Sequence, residues 1–230
     1  HQYILTMITH QGHIYQREFI WDVDVSTGLY DTNESLAAVI DGSRLLLTPF
    51  RRVVVPPPMC SAEVGITSPA SETPDNIGSI DYEPESYRIL VKHASGTLSF
   101  YNAYTPLLEP KKPPRYNIAP TMFAQLVPTE DVDTWVNLRQ LLWISPTCIA
   151  GVLSTYGADE IVQINLNFGD KTSTPQTVTV ASQTKTTTQK RILRFFQNKD
   201  TRNVYVELDD GVIMRYEPGT SSRFVLSHSS

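Results

Sequence analysis

Apolar residues in this chain recur at every second position far more often than at helical spacing. Ile89 and Val91 alternate with Arg88 and Lys92, Ala94-Ser95-Gly96 turns the chain, and Leu98 and Phe100 alternate with Thr97 and Ser99. Period two on both sides of a glycine turn reads as a β-hairpin. The arrangement recurs as Leu36 to Ile40, Asp41-Gly42 and Leu45 to Leu47, and as Ile149 to Leu153, Tyr156-Gly157 and Val162 to Phe168. It recurs again as Val204 to Leu208, Asp209-Asp210-Gly211 and Val212 to Tyr216. One stretch is compatible with a short helix, Thr129 to Trp143, through Val132, Trp135, Val136 and Leu138 to Leu142. That spacing predicts an amphipathic turn or two.

The turn glycines at 42, 96, 157 and 211 lie 54, 61 and 54 residues apart. A repeating sheet unit of that length is somewhat longer than the roughly 40–50 residues of a common propeller blade. The excess sits in polar and proline-rich inserts at 68–76, 106–120 and 170–190. Because the last is rich in Thr, Ser and Gln with little to bury, 170–190 is expected to be a flexible surface loop. A sandwich also uses short strands, but it places turns every 8–12 residues or so throughout. The expected fold is therefore all-β: a single partial domain over 1–230, a WD40-like β-propeller of about four to five blades belonging to a seven-bladed ring. An open arc leaves strand edges unpaired, so residues beyond both termini, or a neighbouring chain, are expected to cover them.

Composition narrows the function classes. Hydrophobic residues make up 40% and charged residues 19%, and the net charge is −5. That balance fits a globular chain and argues against a surface dominated by nucleic-acid phosphates. Cys60 and Cys148 are too few and too far apart for a metal knuckle, and read as buried thiols of a reducing compartment. No apolar run approaches the roughly 18 residues of a membrane helix, and no signal peptide stands at the start. The first residue is His1, inside what looks like a strand, so the chain is expected to be a fragment of a longer protein.

Catalytic signatures are missing from the sequence. It contains no Gly-x-Ser-x-Gly elbow, no phosphate loop and no His-Glu-x-x-His. His10 and His13 are three apart, which in a strand sends them to opposite faces, and His13 and His93 read as packed or surface strand residues. The reading is of a non-enzyme with no catalytic, cofactor-binding or metal-binding residues. Among acidic pairs, Asp22 and Asp24 share a strand face and could serve a propeller hydrolase as funnel-mouth carboxylates. Nothing polar converges on them, so a solvated strand edge is the expectation. Glu83-Pro84-Glu85 reads as a turn, and Asp209-Asp210 belongs to its hairpin. Two basic clusters, Lys111, Lys112 and Arg115 in one loop and Lys185, Lys190, Arg191 and Arg194 further on, are candidates for contact with nucleic-acid phosphates or an acidic partner. Neither interleaves aromatics as a single-strand platform does, and ordinary loop solubility is the competing account.

The segment LAAVIDGSRLLLTPFRRVVVPPPMC, from Leu36 to Cys60, resembles the second WD40-type propeller of the Elongator scaffold-subunit family, also known as the familial dysautonomia protein family. Gly12-His13-Ile14-Tyr15 and Trp21-Asp22-Val23-Asp24 stand at matching distances upstream, and VYVELDDGVIMRY, Val204 to Tyr216, resembles a later hairpin. Independently of that likeness, Pro56-Pro57-Pro58 cannot donate to a sheet and must end the preceding strand in a stiff extended connection. The resemblance implies a non-catalytic scaffold supporting the catalytic acetyltransferase-like subunit and a second propeller subunit in the modification of tRNA wobble uridines. It also implies a cytoplasmic setting with a nuclear one open beside it, no cofactor, no membrane, and a parent homodimeric through regions absent here. The alternative is a propeller that binds tRNA directly.

Overall fold

The computed structural model describes residues 3–19, 23–26, 35–51, 60–65, 75–83, 85–86, 88–102, 121–169, 176–219 and 223–226. It opens with a two-stranded hairpin of β1 (Tyr3–Ile8) and β2 (Ile14–Phe19). Four antiparallel meanders of four strands follow, the second and third joined into one eight-stranded sheet by a short parallel pairing of their last strands. The first holds β3 (Val23–Val25), β4 (Leu36–Asp41), β5 (Arg44–Pro49) and β6 (Ala62–Gly65). The second holds β7 (Ile77–Tyr82), β8 (Ile89–His93), β9 (Leu98–Asn102) and β10 (Thr121–Leu126). A short helix α1 (Val132–Asn137) precedes the third, β11 (Leu138–Ser145), β12 (Cys148–Ser154), β13 (Asp159–Phe168) and β14 (Gln176–Thr187). The fourth holds β15 (Ile192–Gln197), β16 (Val204–Leu208), β17 (Ile213–Glu217) and β18 (Arg223–Leu226). The chain is all-β, with four blades of a WD40-like propeller, and each expected hairpin is the turn between a blade's second and third strands. All four turn glycines have positive φ.

Three apolar clusters lie between successive blades. Leu36, Ala38, Leu45 and Leu47 meet Ile80, Tyr82, Ile89 and Val91. Leu90, Leu98 and Phe100 meet Leu138, Trp143, Ile149 and Val162. Ala150, Val152 and Ile161 meet Phe195, Val206 and Tyr216. The strand period explains the sorting: Ile89 and Val91 face one neighbour while Leu90 faces the other, and Ile149 and Ala150 divide likewise. An inner blade therefore buries both faces, unlike a sheet with one wet side. All five residues of β8 are buried, including Lys92, which the alternation had placed in solvent. Lys92 Nζ donates to the carbonyl of Val136 at 3.0 Å, in the last turn of α1 where unpaired carbonyls attract a cation.

Two further expectations need correction. The 170–190 insert is not a flexible loop over its described length: β14 spans Gln176–Thr187 and pairs with nearly all of β13. Its threonines suit an extended, half-exposed strand, and it needs few apolar residues because it is its blade's outermost strand. The helix-compatible stretch keeps only six helical residues, and Leu138 onward is strand. Pro56-Pro57-Pro58 and the strand expected just before it lie outside the described residues, as does Asp22.

Gly96 shows how tightly α1 is seated. Its φ is +87°, and a Cβ there would stand 3.0 Å from Trp135 Cβ and 3.0 Å from the Val136 nitrogen. Gly211, at φ +82°, has open space around the same position. Gly96→Ala is expected to cost about 2–4 kcal/mol, left-handed strain plus overpacking, and Gly211→Ala about 1–2 kcal/mol from strain alone. Urea midpoints of the two variants check this, and equal losses would mean the helix moves aside freely.

Candidate functional site

Polar side chains of the first, second and fourth blades meet at one point beside a backbone N–H of the third. Asp24, on β3, accepts the N–H of Tyr82 at 2.8 Å on Oδ2, and its Oδ1 accepts the N–H of Val25 at 2.9 Å. Asp81, on β7, accepts the N–H of Trp143 of β11 at 2.6 Å. Lys199, in the turn between β15 and β16, donates to Asp81 Oδ1 at 2.5 Å and to the Tyr82 carbonyl at 2.9 Å, and lies 3.8 Å from Asp24 Oδ2. One ammonium thus ties the fourth blade to the first and second, and one carboxylate ties the second to the third.

Local sequence builds the turn that delivers Lys199. Asn198 Oδ1 accepts the N–H groups of Asp200 and Thr201, both at 3.0 Å, an Asx turn that holds Lys199 at its crest. Arg202, at φ 61°, closes the turn by donating its N–H to the Asn198 carbonyl at 2.7 Å, and its guanidinium pairs with Glu85. The charges do not balance: two carboxylates face one ammonium. Burial pushes the Asp81 carboxyl up to about 7, with Lys199 opposing the rise and Asp24 adding to it. Burial and Asp24 also push the Tyr82 phenol well up. Each carboxylate gives one oxygen to a backbone N–H of the next blade, and its other oxygen is taken by Val25 N–H at Asp24 and by the Lys199 ammonium at Asp81, so this arrangement can lock blades together and has no oxygen turned toward a substrate. Asp24 is accordingly no solvated edge residue, contrary to the sequence expectation.

A second bridge joins the third and fourth blades. Asp159, fully buried, accepts the N–H of Ile192 at 2.7 Å and one Nη2 proton of Arg139 at 2.7 Å. Arg139 also donates to the Ile192 carbonyl at 2.8 Å and to Ser154 Oγ at 3.0 Å. A register break between Arg139 and Leu142, with Gln140 at φ 51°, turns consecutive side chains toward the same neighbour. Gln140 Nε2 accordingly reaches the Leu193 carbonyl at 3.0 Å. Elsewhere His93, buried, sits 2.9 Å from Ser99 Oγ, which keeps it in the packed class expected of it.

The structure separates the basic candidates. Lys111, Lys112 and Arg115 lie outside the described residues. Lys190 is paired with Asp210, and Arg194 lies 3.8 Å from Glu207 with its guanidinium over the Phe196 ring. Arg191 is exposed at the start of the fourth blade, and Lys185 is exposed on β14. Among the described residues no group of His, Cys, Asp and Glu could hold a metal ion. Cys148 is buried, which pushes its thiol up to about 11, and Cys60 is half-buried; both are free. No helix among the described residues is long and apolar enough to cross a membrane.

With this geometry in hand, the likenesses are specific. A profile of the family described as "ELP1 N-terminal second beta-propeller" matches residues 39–228. Elongator complex protein 1 of Rattus norvegicus is 22% identical over 213 residues, covering 85% of this chain and 16% of that protein. The Oryctolagus cuniculus protein of the same name is 34% identical over 70 residues, 30% of this chain and 5% of its own length. That of Mus musculus is 44% identical over 52 residues, 23% of this chain and 4% of its own. The chain thus spans less than a fifth of these relatives. Among solved structures, the WD40 domain of Toxoplasma gondii coronin superposes with a TM-score of 0.46 at 9% identity, covering 83% of this chain and 42% of that one.

Proposed function

Since the chain belongs to the family of the second β-propeller of Elongator complex protein 1, we propose that it is a non-catalytic scaffold within the Elongator complex. In this reading it supports the catalytic acetyltransferase-like subunit and a second propeller subunit during modification of tRNA wobble uridines in the cytoplasm. The observation that carries the reading, beside the family match, is the use made of the polar residues at the blade junctions. Asp24, Asp81, Lys199, Arg139 and Asp159 are all spent on fastening one blade to another. A rigid body whose loops project from fixed sheets is what a scaffold contributes. The proposal includes completion of a seven-bladed ring by segments outside this chain.

A direct tRNA-binding role draws less support, because Lys190 and Arg194 are already matched by carboxylates of their own sheet. The test is co-purification. The full-length protein is expected to retain the acetyltransferase-like subunit on an affinity column, and a version lacking this propeller is expected to lose most of it. Full retention by the deleted version would overturn the scaffold reading.

A further inference from the structure

Among the described residues, β14 has the longest edge of the four outermost strands. Within those residues the outermost strands of the first, second and fourth blades, β6, β10 and β18, cover four, six and four residues, whereas β14 covers twelve. Short edge strands are one way proteins avoid unwanted pairing, and β14 does the opposite. Its outer edge already accepts a strand: β10 runs parallel to it, with Ala124 opposite Gln176 and Gln125 opposite Thr177. Beyond Thr177 that lane is unfilled by any strand among the described residues, although β14 continues to Thr187 in register with β13.

Backbone direction along that stretch follows from one bond. Thr188 donates its N–H inward to the Asp159 carbonyl at 2.8 Å. In an antiparallel pair successive residues point their N–H and C=O groups alternately toward and away from the partner strand. The register Thr187 to Glu160, Lys185 to Val162 and Gln183 to Ile164 therefore places the amides of Gln183, Lys185 and Thr187 on the open side. From Thr179 to Thr187 the side chains are exposed or half-buried and, apart from Lys185, neutral, and there is no acidic residue between Asp170 and Asp200. Lys190, just past the strand, is held by Asp210, which leaves Lys185 as the cation on this edge.

We propose that the outer edge of β14, from Val178 to Thr187, is a docking site for an extended acidic segment of a partner protein, which adds a strand in the lane that β10 begins and sets a carboxylate beside Lys185. Strand addition of this kind draws affinity from main-chain hydrogen bonds and selectivity from side chains at alternate positions. The inference stands on the sheet alone and does not depend on the scaffold reading.

The probe is a capped peptide of about ten residues alternating threonine and valine with one central glutamate, a length matched to the open edge, and its twin with lysine in place of the glutamate. Added to the full-length protein, the glutamate peptide is expected to slow hydrogen exchange at Gln183, Lys185 and Thr187. It is also expected to bind about threefold to fivefold tighter than its twin, the size of one exposed ion pair. Gln183→Pro, which removes an outward donor and no bond to β13, is expected to abolish binding. Lys185→Glu, at an exposed position that leaves the fold intact, is expected to reverse the preference between the two peptides and decides the matter should Gln183→Pro not fold. Equal binding of both peptides, or an unreversed preference, overturns the proposal. So does protection of the three amides that grows with protein concentration without peptide, which would make the occupant a second copy of this chain.

Discussion

Replacing Lys199 with Met is expected to lower the stability of the chain by about 3–5 kcal/mol at pH 8, the usual loss when one partner of a buried ion pair is removed. The size follows from what remains. Asp81 keeps the Trp143 N–H, but its side chain is only 5% exposed and the nearest charge left is the carboxylate of Asp24. A methionine matches the aliphatic stem of lysine, so the loss reports the missing charge more than missing volume. Adding Asp81→Asn to Lys199→Met is expected to recover at least half of it, because the stranded charge goes with it. Urea unfolding followed by tryptophan fluorescence checks both, and a single variant as stable as the parent would sink the account of the four-blade junction.

The proton can stand in for the lysine, and this gives the variant a pH signature. Burial raises Asp81 to about 7 in the folded chain, against about 3.9 unfolded. The folded state therefore holds the proton more tightly. The Asp81 contribution is fully present below the unfolded value and is lost as pH rises through the folded one. Between pH of about 4 and about 7 the native chain should lose stability relative to Asp81→Asn. Without Lys199 the folded carboxyl moves higher still, so the deficit of Lys199→Met should be smaller at pH 5 than at pH 8. A deficit that grows on acidification would reverse the sign and refute the assignment.

Much of the fold could be read from the residues because blade packing repeats a local rule. Each glycine turn with period-two flanks marks the middle hairpin of a blade, and Gly42, Gly96, Gly157 and Gly211 all fall there. Outer strands were harder. In β14 the apolar signal fades because one edge and much of both faces meet solvent, and a threonine-rich strand then has the composition of a loop. Thr129 to Trp143 misled for another reason: the blade buries both faces, so Leu141 and Leu142 pack in different clusters and the apolar run hides the period of two, which the irregularity after Arg139 interrupts as well. The ion clusters were out of reach because their partners are distant in sequence, Lys199 and Asp81 by 118 residues. Asn198-Lys199-Asp200 between two apolar strands did carry a turn signal, and its reading would have placed Lys199 at a crest, though not its partner.

The bridge between the third and fourth blades yields the other large effect. Arg139 is one-third exposed, yet the carboxylate it neutralises is not exposed at all. Arg139→Met is therefore expected to cost about 3–5 kcal/mol, far above the value of a surface pair, because desolvation of Asp159 is left with a single N–H, that of Ile192, to offset it. The lost guanidinium also frees the Ile192 carbonyl and Ser154 Oγ. Since Asp159 and Ile192 hold the fourth blade against the third, the damage should be local before it is global. Hydrogen exchange in β15 and β16 should accelerate while β8 and β9, two blades away, stay protected. Arg139→Met/Asp159→Leu removes both charges, and it should regain at least half of the lost stability, as apolar replacements of buried pairs do. Uniform acceleration in all four blades would instead mean that the sheets unfold as one unit, with no junction weaker than another.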